Sequence, residues 1–138
     1  MINNKEVHMS GNVLGHVVLM LVGVLILVVG AFVGSTDKGE EKLNLHRGLG
    51  VIGILVFLLG VVALLFTGNV HANLPHFFLG LIAVIFFILA AIGGIAYTKA
   101  DKTKKQGLRK SHKADAAIGF LFLLVAIVFG IIGIKALK

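Results

Sequence analysis

Between Arg47 and Lys99 the chain carries no charged residue, and one turn-forming segment, Thr67-Gly68-Asn69-Val70-His71-Ala72-Asn73-Leu74-Pro75, splits that stretch into two apolar runs. About 20 apolar residues let an α-helix cross a hydrocarbon core of about 30 Å. Two further runs meet the same requirement: an uncharged one from about Asn12 to Gly34, and one from about Ser111 to Ala136 whose last charge before its apolar core is Asp115. Composition closes the other routes. With 138 residues, 58% hydrophobic, 14% charged and a mean hydropathy of +1.04, the chain is too small to bury its apolar surface in water and too apolar to stay disordered. The reading is an all-α membrane protein, an antiparallel four-transmembrane-helix bundle in a single domain, with helices at about 12–34, 45–67, 75–97 and 111–136 and a basic loop at 98–110. Pro75 suits a first helical position, where its missing N–H costs nothing. The runs lack the polar–apolar alternation of barrel strands. The first run is longer than a signal-peptide core and lacks a basic segment before it, so it is expected to remain as a helix.

A net charge of +7 often points to nucleic acid, but here the cations sit in loops beside apolar runs. Lys38, Lys42 and Arg47 surround the first connection, and Lys99, Lys102, Lys104, Lys105, Arg109, Lys110 and Lys113 surround the third. Only Lys5, Lys135 and Lys138 remain for the opposite side. The positive-inside bias then places both basic connections in the cytoplasm and both termini outside, in a multi-pass protein of the cell membrane. The third connection also suits contact with anionic lipid, and no nucleic-acid partner is expected. The absence of cysteine excludes disulfides, thiolate metal sites and covalent haem attachment.

Six histidines stand out against this background. His8 falls in the polar N-terminal tail and His71 in the short outer connection, where both are expected to be solvated. His16, His46, His76 and His112 each fall near the start of one helix. Successive helices reverse direction, so His16 and His76 share the outer side, and His46 and His112 the inner side. One such residue is readily explained by interfacial hydrogen bonding; four, one per helix and paired by side, call for a shared purpose, since ionisable groups at membrane depth face the bundle interior. Thirty residues separate His16 from His46, and again His46 from His76. Seven residues after each histidine come Gly23, Gly53, Ala83 and Gly119; fourteen after come Gly30, Gly60, Ala90 and Ala126. Seven residues make almost two turns, so each set shares a stripe with its histidine. Small residues there either let helices approach closely or leave room for a flat, bulky group. Fourteen residues span about 21 Å, which brings the second small residue near the level of the opposite histidine pair. That register is the one two stacked cofactors need, each meeting glycine or alanine on the helices that do not ligate it.

Two imidazoles per side fit the axial ligands of haem iron better than other metals. Structural zinc wants four ligands, and even with His71 the outer side offers three. Copper wants methionine or cysteine, and Met20, one turn below His16, has no inner counterpart. Two axial histidines leave no open coordination position, which suits electron transfer. Arg47, Arg109, Lys110 and Lys113 are candidate partners for inner haem propionates, and Asn12, Asn69 and Asn73 for outer ones.

The elements His16-x-x-Leu19-Met20 and His76-x-x-Leu79-Gly80 resemble motifs of the cytochrome b561 family, and the resemblance covers about Gly11 to Lys138. It implies two haem b groups, one held by His16 with His76 and the other by His46 with His112. The family's glutamine after the second histidine and its tryptophans are missing, and no segment matches an ascorbate site. The expected function is that of a di-haem b-type cytochrome carrying electrons across the membrane between two bis-histidine haems, an electron carrier rather than an enzyme with its own substrate. Its partners would be a redox protein, quinol or a small reductant, and a homo-oligomer is compatible with the sequence. The alternative is a haem-bearing or structural membrane-anchor subunit of a larger respiratory complex. A proton or metal-ion transporter ranks last, because the helix centres carry essentially no polar residues.

Overall fold

The computed structural model describes residues 11–36, 39–66 and 75–136, together with the backbone alone at the outermost residues of α1 and α4. Four helices account for nearly all of them: α1 Gly11–Thr36, α2 Glu40–Leu65, α3 Pro75–Lys99 and α4 Lys102–Ala136. Each is long and apolar enough to cross a membrane. Lipid offers no hydrogen bonds to the backbone, so a helix, which satisfies its own N–H and C=O groups, is the form these runs must take. The outward surface agrees: Leu25, Phe32, Leu121 and Leu124 are each more than 60% exposed, an arrangement stable in acyl chains and not in water.

Two helices start earlier than hydropathy predicts. α2 begins at Glu40 rather than near 45, with Glu40 and Glu41 in the first turn, where carboxylates favour the helix N-terminus. α4 begins at Lys102, so the basic loop expected at 98–110 is mostly helix. The turn between α3 and α4 shrinks to Ala100 and Asp101, and the Asp101 carbonyl accepts the N–H groups of Lys104 and Lys105 at 3.0 and 3.2 Å. Hydropathy marks where lipid ends, whereas Lys, Gln, Leu and Arg all support helix in water too. Pro75 does occupy the first position of α3.

α1 packs on α2, and α3 on α4, along their lengths; between these two hairpins only α2 and α3 bring Cα atoms within 8 Å among the described residues. Glycine permits the tight contact inside each hairpin. A Cβ built on Gly23 would lie 2.8 Å from the backbone nitrogen of Phe57, and one on Gly53 would lie 2.8 Å from Leu27 Cγ. In the second hairpin, a Cβ on Gly119 would come within 3.0 Å of the Phe87 ring. The apolar centre consists of Leu27, Phe57, Ala83, Phe87 and Leu123. There the Phe57 and Phe87 rings meet edge to face at 5.8 Å and join the two hairpins.

Candidate functional site

All four helix histidines turn inward, and all four Nδ1 atoms are engaged in the same way. His16 Nδ1–H donates to the Gly60 carbonyl at 2.8 Å, and His46 Nδ1–H to the Gly30 carbonyl at 2.7 Å. In the second hairpin His76 donates to Ala126 at 2.8 Å, and His112 to Ala90 at 2.7 Å. Each bond stays within one hairpin, and each acceptor lies fourteen residues after the histidine of its own helix. A carbonyl can only accept, so Nδ1 carries the proton. The neutral ring then presents its lone pair at Nε2.

Across the hairpins the rings pair. His16 and His76 have centroids 6.4 Å apart with planes at 86°; His46 and His112 have centroids 5.8 Å apart with planes at 85°. An imidazole nitrogen bonds a transition metal at about 2 Å and sits about 1 Å from its own ring centre, so two rings on opposite sides of one ion have centroids about 6 Å apart. Both pairs match that span. His16 is buried, while the other three are half-buried.

A cavity of about 870 Å³ opens around the His46–His112 pair, within the range of about 300–1,000 Å³ typical of ligand and cofactor sites. Leu27, Phe87, Ala90 and Ala116 are among its apolar lining, and Arg47, Arg109 and Lys113 line it as well. Arg47 also donates to the Asn44 side-chain oxygen at 3.2 Å. Lys110, expected beside these cations, is exposed and does not line the cavity. Tyr97, which sequence reasoning passed over, does line it, and the Lys105 ammonium sits 5.6 Å from the centre of the Tyr97 ring.

The small-residue stripe serves contact between helices. Gly23, Gly30, Gly53, Gly60 and Gly119 are not among the residues that line the His46–His112 cavity. They lie where helices touch: a Cβ on Gly30 would meet Leu49 at 3.1 Å, and one on Gly60 would meet Met20 Sδ at 3.0 Å. Close packing, the commoner reason for small residues in membrane helices, accounts for them. Room for a flat group comes instead from the sparse contact between hairpins. His8, His71, Asn69 and Asn73 lie outside the described residues, as does the side chain of Asn12. Among the described residues no three His, Cys, Asp or Glu side chains converge as a metal-ligand group.

The sequence model of the family described as eukaryotic cytochrome b561 matches residues 7–138, nearly the whole chain. The chain belongs to the cytochrome b561 family. Its members carry haem b and transfer electrons across membranes, and the four apolar helices make this cytochrome a multi-pass protein in contact with lipid. No curated protein and no solved structure gives a match. The donor chemistry suits the family's cofactor: imidazoles in facing pairs, with cations beside the His46–His112 pair.

Proposed function

We propose that this cytochrome carries two haem b groups, one between His16 and His76 and one between His46 and His112, and relays electrons between the two membrane faces. The observation that carries this reading is the matched geometry of the pairs: all four helix histidines have Nδ1 tied to a backbone carbonyl, and the paired ring centroids lie 6.4 and 5.8 Å apart. Haem b, when bound, supplies an iron centre that cycles between ferric and ferrous states.

The protein's residues do the rest. Each carbonyl holds its imidazole in one tautomer and one orientation, and a hydrogen bond at Nδ1 raises the basicity of the ligating nitrogen. Two histidines per site leave no coordination position for oxygen, which favours outer-sphere electron transfer. Leu27, Phe57, Phe87 and Leu123 keep water out of the space between the sites. Arg47, Arg109 and Lys113 are suited to pair with propionates and to favour the more negative, reduced state at the inner site. The positive-inside bias puts that inner site at the cytoplasmic face of the cell membrane, with both termini outside. Donor and acceptor would be a redox protein, quinol or a small reductant.

Haem content of protein purified after haem-replete expression tests the reading. Two haems per chain are expected, falling to one in each single alanine variant of His16, His46, His76 or His112. Variants at His16 and His76 should lose the same spectral component, and those at His46 and His112 the other. One haem per chain in the wild type, unchanged by two of these substitutions, would favour a membrane-anchor subunit; no Soret band would end the proposal.

A further inference from the structure

One turn beyond three of the four acceptor carbonyls stands a glycine, and helix packing does not account for what lies against it. A Cβ built on Gly34 would lie 2.6 Å from His46 Nδ1, 2.8 Å from its Cε1 and 2.9 Å from its Cγ. On Gly130 it would lie 2.9 Å from His76 Nδ1, and on Gly94 it would lie 3.4 Å from His112 Nδ1. Each of these glycines stands four residues after the carbonyl that accepts that same histidine's bond: Gly30, Ala126 and Ala90. In an α-helix the carbonyl of residue n already accepts the N–H of residue n+4. The imidazole N–H must reach the remaining lone pair from the side, across the surface of residue n+4. How much room a side chain there leaves the ring depends on how the two helices are turned against each other, and at Gly34 and Gly130 it leaves none.

We propose that Gly34 and Gly130 are positioning residues that seat the ligand histidines His46 and His76 against their backbone acceptors, with Gly94 beside His112 the relaxed case. This rests on the di-haem reading above. The seat lies on the neighbouring helix of the same hairpin, so each imidazole is aimed before the other hairpin or a cofactor arrives. The three positions differ in tolerance. At Gly34 a methyl group would overlap a ring that cannot retreat without breaking its 2.7 Å hydrogen bond to Gly30. At Gly130 the overlap is smaller, and at Gly94 a methyl group makes an ordinary contact. The fourth equivalent position, facing His16, is Leu64, so His16 lacks a glycine seat.

The test compares Gly34→Ala, Gly130→Ala and Gly94→Ala in the full-length haem-loaded protein, with Gly48→Ala as the control, since a Cβ on Gly48 meets nothing within 4 Å. The readouts are haem per chain, the low-spin spectral signature of each haem, and its midpoint potential. Loss of an outer-shell partner typically weakens metal-site affinity 10–100-fold. Gly34→Ala should therefore weaken haem binding by about that factor at the His46–His112 site while sparing the other. Gly130→Ala should do the same at the His16–His76 site, Gly94→Ala should fall clearly short of Gly34→Ala, and Gly48→Ala should behave as wild type. A haem retained in Gly34→Ala should show an altered low-spin signature and a shifted midpoint. The seat assignment is overturned by unchanged spectra and haem content in Gly34→Ala, by equal loss of both haems there, or by Gly94→Ala proving as damaging as Gly34→Ala. Wild-type protein without two haems would instead overturn the di-haem reading.

Discussion

Gly23 lies at the middle of the α1–α2 contact, and replacing it with alanine should loosen both ends of the hairpin at once. The added methyl carbon would sit 2.8 Å from the Phe57 backbone nitrogen, 3.0 Å from its Cα and 3.1 Å from its Cβ. These are backbone-anchored atoms that cannot rotate aside, whereas optimal non-bonded contact is at about 3.5–4.0 Å. The helices must therefore part by about 1 Å at this level, an overpacking cost of about 1–3 kcal/mol. His16→Gly60 and His46→Gly30, at 2.8 and 2.7 Å, bridge the same two helices on either side of Gly23. A separation of about 1 Å carries both bonds past the roughly 3.2 Å limit of a good N–H···O contact. Interhelical hydrogen bonds in membranes contribute about 0.6 kcal/mol each, so the whole effect should come to about 2–4 kcal/mol. Unfolding of the purified protein in mixed micelles with rising SDS would measure it, with Gly15→Ala as reference because a Cβ there meets nothing within 4 Å. The reference should match wild type or exceed it by up to about 1 kcal/mol, the gain in helix propensity from glycine to alanine. A Gly23→Ala protein as stable as Gly15→Ala, with both haem signatures unaltered, would refute the claim that this contact sets the spacing on which the histidine bonds depend.

Arg109→Gln and Lys113→Gln each remove an exposed cation from the wall of the inner cavity. Each should lower the inner midpoint potential by about 10–40 mV, the size of a solvent-screened charge interaction; Lys110→Gln, off the lining, should leave it unmoved in the same redox titration. Gly107 lies in the part of α4 that extends beyond the membrane span, exposed and with nothing within 4 Å of a built Cβ. Gly107→Ala should stabilise that extension by about 0.8–1 kcal/mol, read as slower amide exchange from Lys102 to Lys110; unchanged exchange would count against helix there. Removing haem should broaden spin-label distances between α1 and α4 while α1–α2 distances stay narrow, a clean measurement because the chain has no native cysteine to compete for label. Broadening within α1–α2 first would contradict the hairpin as the preformed unit.

The membrane spans were legible in the sequence because lipid allows a long apolar run one structure, the helix. Where helices run on into water that constraint lapses, so α4's start at Lys102 was hidden behind its charges. The histidine pairing was legible from chain reversal alone, since antiparallel neighbours must alternate sides. What the glycines do was not. Gly23 and Gly34 look alike in sequence, yet one meets the Phe57 backbone and the other the His46 ring. The distinction depends on how the two helices are rotated against each other, which a single stripe of small residues does not encode. One clue was available: eighteen residues after His16, His76 and His112 stand Gly34, Gly94 and Gly130, one turn beyond the fourteen-residue step. Phe57 and Phe87 gave another, each eleven residues after a histidine and each facing a glycine, Gly23 or Gly119, across its hairpin.

The hydrogen bonds and the ring pairs divide the molecule along different lines, and that division has consequences. Every Nδ1 bond stays inside one hairpin, whereas each ring pair takes one histidine from each hairpin. Aiming the imidazoles is therefore the task of α1 with α2 and of α3 with α4, and bringing them face to face is the task of whatever joins the hairpins. Protein contacts supply little of the latter, because among the described residues only α2 and α3 bring backbones close between the hairpins. Two metal centres, each bonded from both sides, would supply it along the full depth of the bundle. A fault in one seat then disables one site and leaves the other staple in place, while a fault at the centre of a hairpin, as at Gly23, misaims one ligand of each site. Damage to one haem or to both thus reports which of the two tasks has failed.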